Sequence, residues 1–112
     1  MSQITTHILD TSNGRPAAGI DVYLFQQHGS NWTEITAGHT NSDGRIPDLL
    51  RKDVLLNPGV YKLRFETRPY FDKLGIASFY PFVEISFVIT GNEHYHVPLL
   101  LNPYGYSTYR GS

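Results

Sequence analysis

The sequence contains no cysteine. That absence excludes disulfides, thiol catalysis and zinc sites built on thiolates. It leaves the compartment open, because secreted proteins also occur without disulfides. A surplus of charge is missing too. Nine Lys and Arg stand against ten Asp and Glu, for a formal net charge of -1. With no basic stripe, a nucleic-acid partner has no electrostatic support. No apolar run approaches the roughly 20 residues that cross a bilayer, so no membrane partner is expected. The start, Met1-Ser2-Gln3-Ile4-Thr5-Thr6-His7, lacks a basic segment followed by an apolar run, the pattern of a secretion signal. Internal repeats, linkers and low-complexity segments are also lacking. The 112 residues, 40% of them hydrophobic, suit one domain over residues 1–112.

What is present is aromatic and turn-rich: 13% Phe, Trp and Tyr, with ten glycines and seven prolines. That balance favours short strands over helices. Residues 4–10 alternate, with Thr6, Ile8 and Asp10 on one face and Thr5, His7 and Leu9 on the other. Asn13-Gly14-Arg15-Pro16 reads as a turn, and strands follow over 19–27 and 32–37. Asn41-Ser42-Asp43-Gly44 is another turn, with Arg45-Ile46 opening a short strand. Residues 60–66 alternate Tyr61, Leu63 and Phe65 against Lys62, Arg64 and Glu66, as in an antiparallel strand with one wet face. Residues 70–79 lose the alternation and predict a helix of two turns. Strands return over 82–89, 94–101 and 105–109. The pattern is all-β: an antiparallel β-sandwich of about eight strands with one short helix.

Proline cannot donate to a ladder, so Pro98 belongs on an edge or facing another subunit. The outward face of its strand carries His94, His96, Pro98 and Leu100, a mixture that suggests a partner surface. His94 and His96 leave the same face. Their spacing fits a metal pair, an acid–base pair or two idle surface histidines. His7 and Arg45 alone read as surface residues, although a guanidinium suits an anionic or urea-like ligand. His28 and His39 sit in or beside turns. The tail Tyr104-Gly105-Tyr106-Ser107-Thr108-Tyr109-Arg110-Gly111-Ser112 keeps aromatics to its end, so it reads as docked, or as a last strand.

Three separated motifs change these weights. His94-Tyr95-His96-Val97-Pro98-Leu99-Leu100-Leu101, with Asn102-Pro103-Tyr104-Gly105-Tyr106-Ser107-Thr108-Tyr109-Arg110-Gly111-Ser112, resembles the C-terminal signature of the transthyretin-related 5-hydroxyisourate hydrolases. Thr6-His7-Ile8-Leu9-Asp10 through Gly14-Arg15-Pro16-Ala17 is similar to the family's N-terminal motif. Thr40-Asn41-Ser42-Asp43-Gly44-Arg45 is similar to its middle motif. The hormone carriers of the same fold have lysine, glutamate and threonine where this chain has His7, Arg45 and His96, and they lack the terminal Tyr-Arg-Gly-Ser.

The resemblance implies a transthyretin-like domain that hydrolyses 5-hydroxyisourate, a product of urate oxidation, with water as nucleophile and no cofactor or metal. It implies His7, Arg45, His96 and Ser112 as catalytic residues and His7, Arg45 and Tyr109 at the substrate. One histidine activates water, Arg45 stabilises the oxyanion, and Ser112 completes the polar network. Arg110 is assigned to hold the tail through an ion pair. The implied assembly is a homotetramer, a dimer of dimers with sites at the dimer–dimer interface. The absence of a visible secretion signal favours the cytoplasm as compartment, while the resemblance leaves periplasm and peroxisome open because related chains occur there. Three competing readings stand beside this one: a carrier of a small aromatic ligand, a zinc hydrolase using His7, His94 and His96, and an adhesive sandwich module.

Overall fold

Alternation along the chain builds two four-stranded sheets in the computed structural model, which describes residues 2–112; Met1, part of the expected 1–112 unit, lies outside them. The elements are β1 (Ile4–Asp10), β2 (Arg15–Pro16), β3 (Asp21–His28), β4 (Asn31–His39), β5 (Gly59–Phe65), α1 (Thr67–Lys73), β6 (Val83–Ile89), β7 (Tyr95–Asn102) and β8 (Gly105–Thr108). One sheet runs β2-β1-β7-β8 and the other β4-β3-β5-β6. Every pairing is antiparallel except β1 with β7, which is parallel. Tyr61, Leu63 and Phe65 of β5 are buried, as the alternation predicts, and meet Ile4 and Ile8 of β1 and Tyr95, Val97, Leu99 and Leu101 of β7 in one hydrophobic cluster. Fully burying such a side chain contributes about 1.5–3 kcal/mol.

Several expectations are corrected. Arg15 and Pro16 belong to a two-residue strand against Asp10 and Leu9, not to the turn. Arg45 makes only an isolated antiparallel bridge to His7, so no strand starts there. The helix begins three residues before the expected 70 and ends at Lys73. Gly75 stops it: with φ +70°, it donates to the Asp72 carbonyl while Ile76 donates to that of Phe71 (both 3.0 Å). This is a Schellman ending, which favours glycine. Pro69 fits because the first turn has no intrahelical use for its N–H.

Pro98 is not on an edge strand, since β7 has β1 on one side and β8 on the other. Its missing N–H is accommodated by a gap in the ladder. Leu99 stands opposite Thr108 and His96 opposite Gly111, which puts Pro98 opposite Tyr109 and Val97 opposite Arg110. The Pro98 carbonyl accepts from the Thr108 hydroxyl instead (2.6 Å). Beyond the gap the tail re-engages, with Gly111 N–H donating to the His96 carbonyl (2.9 Å). Among the described residues no helix is long and apolar enough to cross a membrane.

Candidate active site

The outward face of the β2-β1-β7-β8 sheet collects the polar residues that the sequence motifs point to. β1 buries Ile4, Thr6, Ile8 and Asp10 and turns Thr5, His7 and Leu9 outward, half-buried. The parallel register sets Thr5 beside His96, His7 beside Pro98 and Leu9 beside Leu100. Paired residues share a face, so two adjacent rows cross the sheet. One row runs Arg45, His7, Pro98, Tyr109; the next runs Thr5, His96, Gly111.

Arg45 reaches this face because its turn is tied down. Asn41 Oδ1 accepts from the backbone N–H of Asp43 (2.9 Å) and of Arg45 (3.1 Å). Gly44, at φ +72°, passes so close to β1 that its carbonyl accepts from Ile8 N–H (2.9 Å). A Cβ at Gly44 would stand 2.5 Å from the Ile8 oxygen, so glycine allows the approach that places Arg45 against His7.

Thr5, Arg45, His94, His96 and Ser112 line a cavity of about 340 Å³ that opens to solvent. The structure thus brings Arg45, His96 and Ser112 together. His7 shares the face as the bridge partner of Arg45 without lining that cavity. Tyr109 lines a separate groove of about 320 Å³, along the open edge between β6 and the tail. Arg110 points to the other side of the tail: its guanidinium lies 4.7 Å from the Tyr95 ring centroid and 3.8 Å from Glu93 Oε2. The ion pair is exposed, so packing on Tyr95 is the firmer anchor.

The electrostatics favour a neutral His96. Burial is the first cause that pushes its imidazole below the ordinary value of 6.5, followed by the charges of Arg45, His94 and His7. A neutral imidazole near pH 7 can take a proton from water, and Arg45 supplies fixed positive charge beside it. Residue-type reasoning overlooked Thr5. Its hydroxyl sits 2.8 Å from His96 Nδ1 and 2.7 Å from His94 Nε2. The signal was available, since Thr5 lies two residues before His7 on the same face of β1. Among the described residues no group of three His, Asp or Glu is placed to hold a metal ion, whereas the zinc reading needs three converging imidazoles.

Comparison with known proteins follows the same lines. The profile described as "HIUase/Transthyretin family" matches residues 4–111. A probable 5-hydroxyisourate hydrolase of Schizosaccharomyces pombe is 47% identical, the match covering 97% of this chain and 90% of that protein. The structure of Klebsiella pneumoniae 5-hydroxyisourate hydrolase superposes with a TM-score of 0.86 at 38% identity, covering 97% of this chain and 98% of that one. Sea bream transthyretin, solved in complex with thyroxine, superposes with a TM-score of 0.90 at 30% identity, over 97% of this chain and 94% of that one. The backbone does not separate hydrolase from carrier; the side chains on the outward face have to. With its near-complete profile match and its three motifs on one sheet face, the chain belongs to the HIUase/transthyretin family.

Proposed function

We propose that this protein hydrolyses 5-hydroxyisourate to 2-oxo-4-hydroxy-4-carboxy-5-ureidoimidazoline in urate breakdown. The carrying observation is the convergence of Arg45, His96 and Ser112 on one cavity, with His7 and Tyr109 on the adjoining row. The relatives named as hydrolases support the same reading.

Opening a cyclic amide with water needs a base, a stabilised oxyanion and an oriented substrate. His96 takes the proton from the attacking water, because its surroundings keep it neutral. Arg45 binds the substrate carbonyls and stabilises the oxyanion that develops on attack. His7, held beside Arg45, orients the substrate or water, and Ser112 closes the cavity with a polar group. Tyr109 contacts the substrate from the tail. No step calls for a cofactor.

The active form in this reading is a homotetramer, a dimer of dimers with the sites between dimers. Support comes from the openness of the cavity and from Leu100 and Tyr109 on the same outward face, Tyr109 being 58% exposed. A second dimer laid on this face would exclude water and give Tyr109 a substrate to cover.

The test is the decay of absorbance of freshly generated 5-hydroxyisourate, with wild-type protein and with a variant lacking residues 109–112. Acceleration by the wild type and its loss in the truncated protein are expected. No acceleration above the spontaneous rate by the wild type would return the chain to the carrier reading.

A further inference from the structure

The hydroxyl of Thr5 touches two imidazoles at once, 2.8 Å from His96 Nδ1 and 2.7 Å from His94 Nε2. The two rings are near parallel, 21° apart, with centroids 6.3 Å from each other. A hydroxyl carries a single hydrogen. It can therefore donate to only one ring, and the other ring must donate to Thr5 through its N–H. In two arrangements with both rings neutral, Thr5 accepts from one and donates to the other. In the first, His96 Nδ1–H donates to Thr5 and Thr5 donates to His94 Nε2. In the second, His94 Nε2–H donates to Thr5 and Thr5 donates to His96 Nδ1. A concerted shift of two protons converts one into the other. The first leaves a lone pair on His96 Nε2, the state a base needs.

We propose that Thr5 and His94 form a proton relay that drains His96 to solvent during hydrolysis. The proposal rests on the hydrolase reading above and deepens it. Cleaving an amide to a carboxylate and a neutral N–H removes two protons from the attacking water. One goes to the leaving nitrogen and one is released near neutral pH, so the released proton needs a way out. His96 Nε2 takes the first proton of the attacking water and hands it to the leaving nitrogen. It then takes the second, from the hydroxyl of the acid as the carboxylate forms, making an imidazolium. Its Nδ1 proton passes to the Thr5 oxygen as the Thr5 proton passes to His94 Nε2. His96 is left neutral with Nε2–H. His94 is left as the imidazolium, and releases its Nδ1 proton to water, the one proton that each turnover sets free. Exchange with water, which takes the His96 Nε2 proton as His94 regains one at Nδ1, lets the reverse shift restore the first arrangement.

The surroundings give the transfer its direction. His96 is half-buried, while His94 is exposed. The charged and titratable groups on His96 are Arg45 from the turn after β4, His7 from β1 and His94 from its own segment, and all three disfavour a proton there. The tail packed against it brings Gly111, which carries no charge, and Ser112. Arg110 and Glu93 pair with each other over Tyr95, on the opposite face of β7. Charge therefore runs downhill from a partly desolvated ring to a hydrated one. Thr5 and His94 also line the cavity, but in the relay they act through His96, as positioning and relay residues.

The test compares Thr5→Val, which keeps the β-branched shape and removes the hydroxyl, with Thr5→Ser, which keeps the hydroxyl. A drop in kcat of about a hundredfold in Thr5→Val, the lower end of what a placed proton-transfer group contributes, is expected. KM should stay within about twofold, because uniform binding is untouched. Thr5→Ser should retain most of the activity. His94→Ala should become slow in dilute buffer and recover with added imidazole, and the wild type should show a curved dependence of kcat on deuterium content. Wild-type kcat in Thr5→Val across the pH range would overturn the relay, as would equal losses in Val and Ser. So would a His94→Ala rate indifferent to buffer. Wild-type protein that fails to hydrolyse 5-hydroxyisourate at all would instead overturn the hydrolase reading on which the relay rests.

Discussion

Gly111 leaves the space that the ring of His96 occupies. A Cβ on Gly111 would overlap His96 Cδ2 and lie 3.1 Å from its Cγ. The same glycine donates its N–H to the His96 carbonyl (2.9 Å). The last glycine of the chain is therefore a seat for the histidine assigned as base, beyond any role as a flexible end.

Gly111→Ala is accordingly expected to cost activity without unfolding the protein. The added methyl must push the imidazole or the tail aside. A displacement of about 1 Å at a reacting group costs on the order of a hundredfold. The bridge lies at the sheet edge, away from the hydrophobic cluster, so stability should stay within about 0.5 kcal/mol. Steady-state kinetics alongside thermal unfolding separates the two. Undiminished kcat/KM would show that the His96 ring has no fixed position to lose.

Removing the Arg45 charge should raise the pKa of His96. Burial remains the larger cause of its depression, so Arg45→Met should bring it only part of the way back towards 6.5. Imidazole carbon resonances followed against pH would show this directly. The sign for stability follows from linkage. The folded pKa lies below the unfolded one, so the unfolded chain binds more protons between the two values. The contribution is complete above the unfolded pKa and is lost as pH falls through that window. In Arg45→Met the window narrows, and the acid-side loss of stability attributable to His96 shrinks. A His96 titration unchanged by Arg45→Met would remove Arg45 from the causes.

The sandwich was legible because its strands expose one face. Tyr61, Leu63 and Phe65 alternate with charged residues and are buried as expected. The helix was misplaced because Thr67 and Arg68 carry no start signal, Glu66 making no side-chain cap, while the stop at Gly75 was passed over. Of the two places expected for Pro98, an edge or a face towards another subunit, the edge is ruled out, for a physical reason. A proline can sit within a sheet where its N faces a gap, and the gap opposite Tyr109 belongs to the tail, eleven residues away. The Arg45–His7 bridge and the Thr5 hydroxyl between two histidines are products of register. Register between segments far apart in the chain is set by the whole core, and single-strand periodicity does not contain it.

The buried carboxylate of Asp10 offers a test of stability remote from the cavity. Asp10 is fully buried, accepts from the Tyr70 hydroxyl (2.8 Å), and is bonded by the backbone N–H and hydroxyl of Ser12. Burial, and then the bond to Asp10, push the Tyr70 hydroxyl up to about 12. Tyr70→Phe deletes one partner of the carboxylate and ties α1 less firmly to β1. A loss of about 1–3 kcal/mol is expected from a buried charged group left short of a donor. Urea unfolding would measure it, and kcat should be unaffected. A midpoint equal to wild type would mean that water replaces the phenol without cost.

Gly44→Ala should damage both stability and activity, by one cause. The residue sits at φ +72°, where an L side chain costs roughly 1–2 kcal/mol. Its Cβ would also meet the Ile8 oxygen at 2.5 Å and the Pro16 Cβ at 3.1 Å, both parts of the packed sheet. The turn must lift from β1, weakening the bond from Ile8 N–H to the Gly44 carbonyl, worth about 1 kcal/mol. Lifting the turn carries Arg45 away from His7 and His96. Asn41→Ala is the natural comparison: it removes the side-chain acceptor for Asp43 and Arg45 but leaves the Gly44 contact in place. The expected order of kcat/KM is wild type, then Asn41→Ala, then Gly44→Ala, with unfolding midpoints in the same order. A Gly44→Ala protein as stable as wild type yet inactive would place the defect in Arg45 alone. One that is destabilised but fully active below its unfolding transition would show that the hydrolysis does not need Arg45 held against β1.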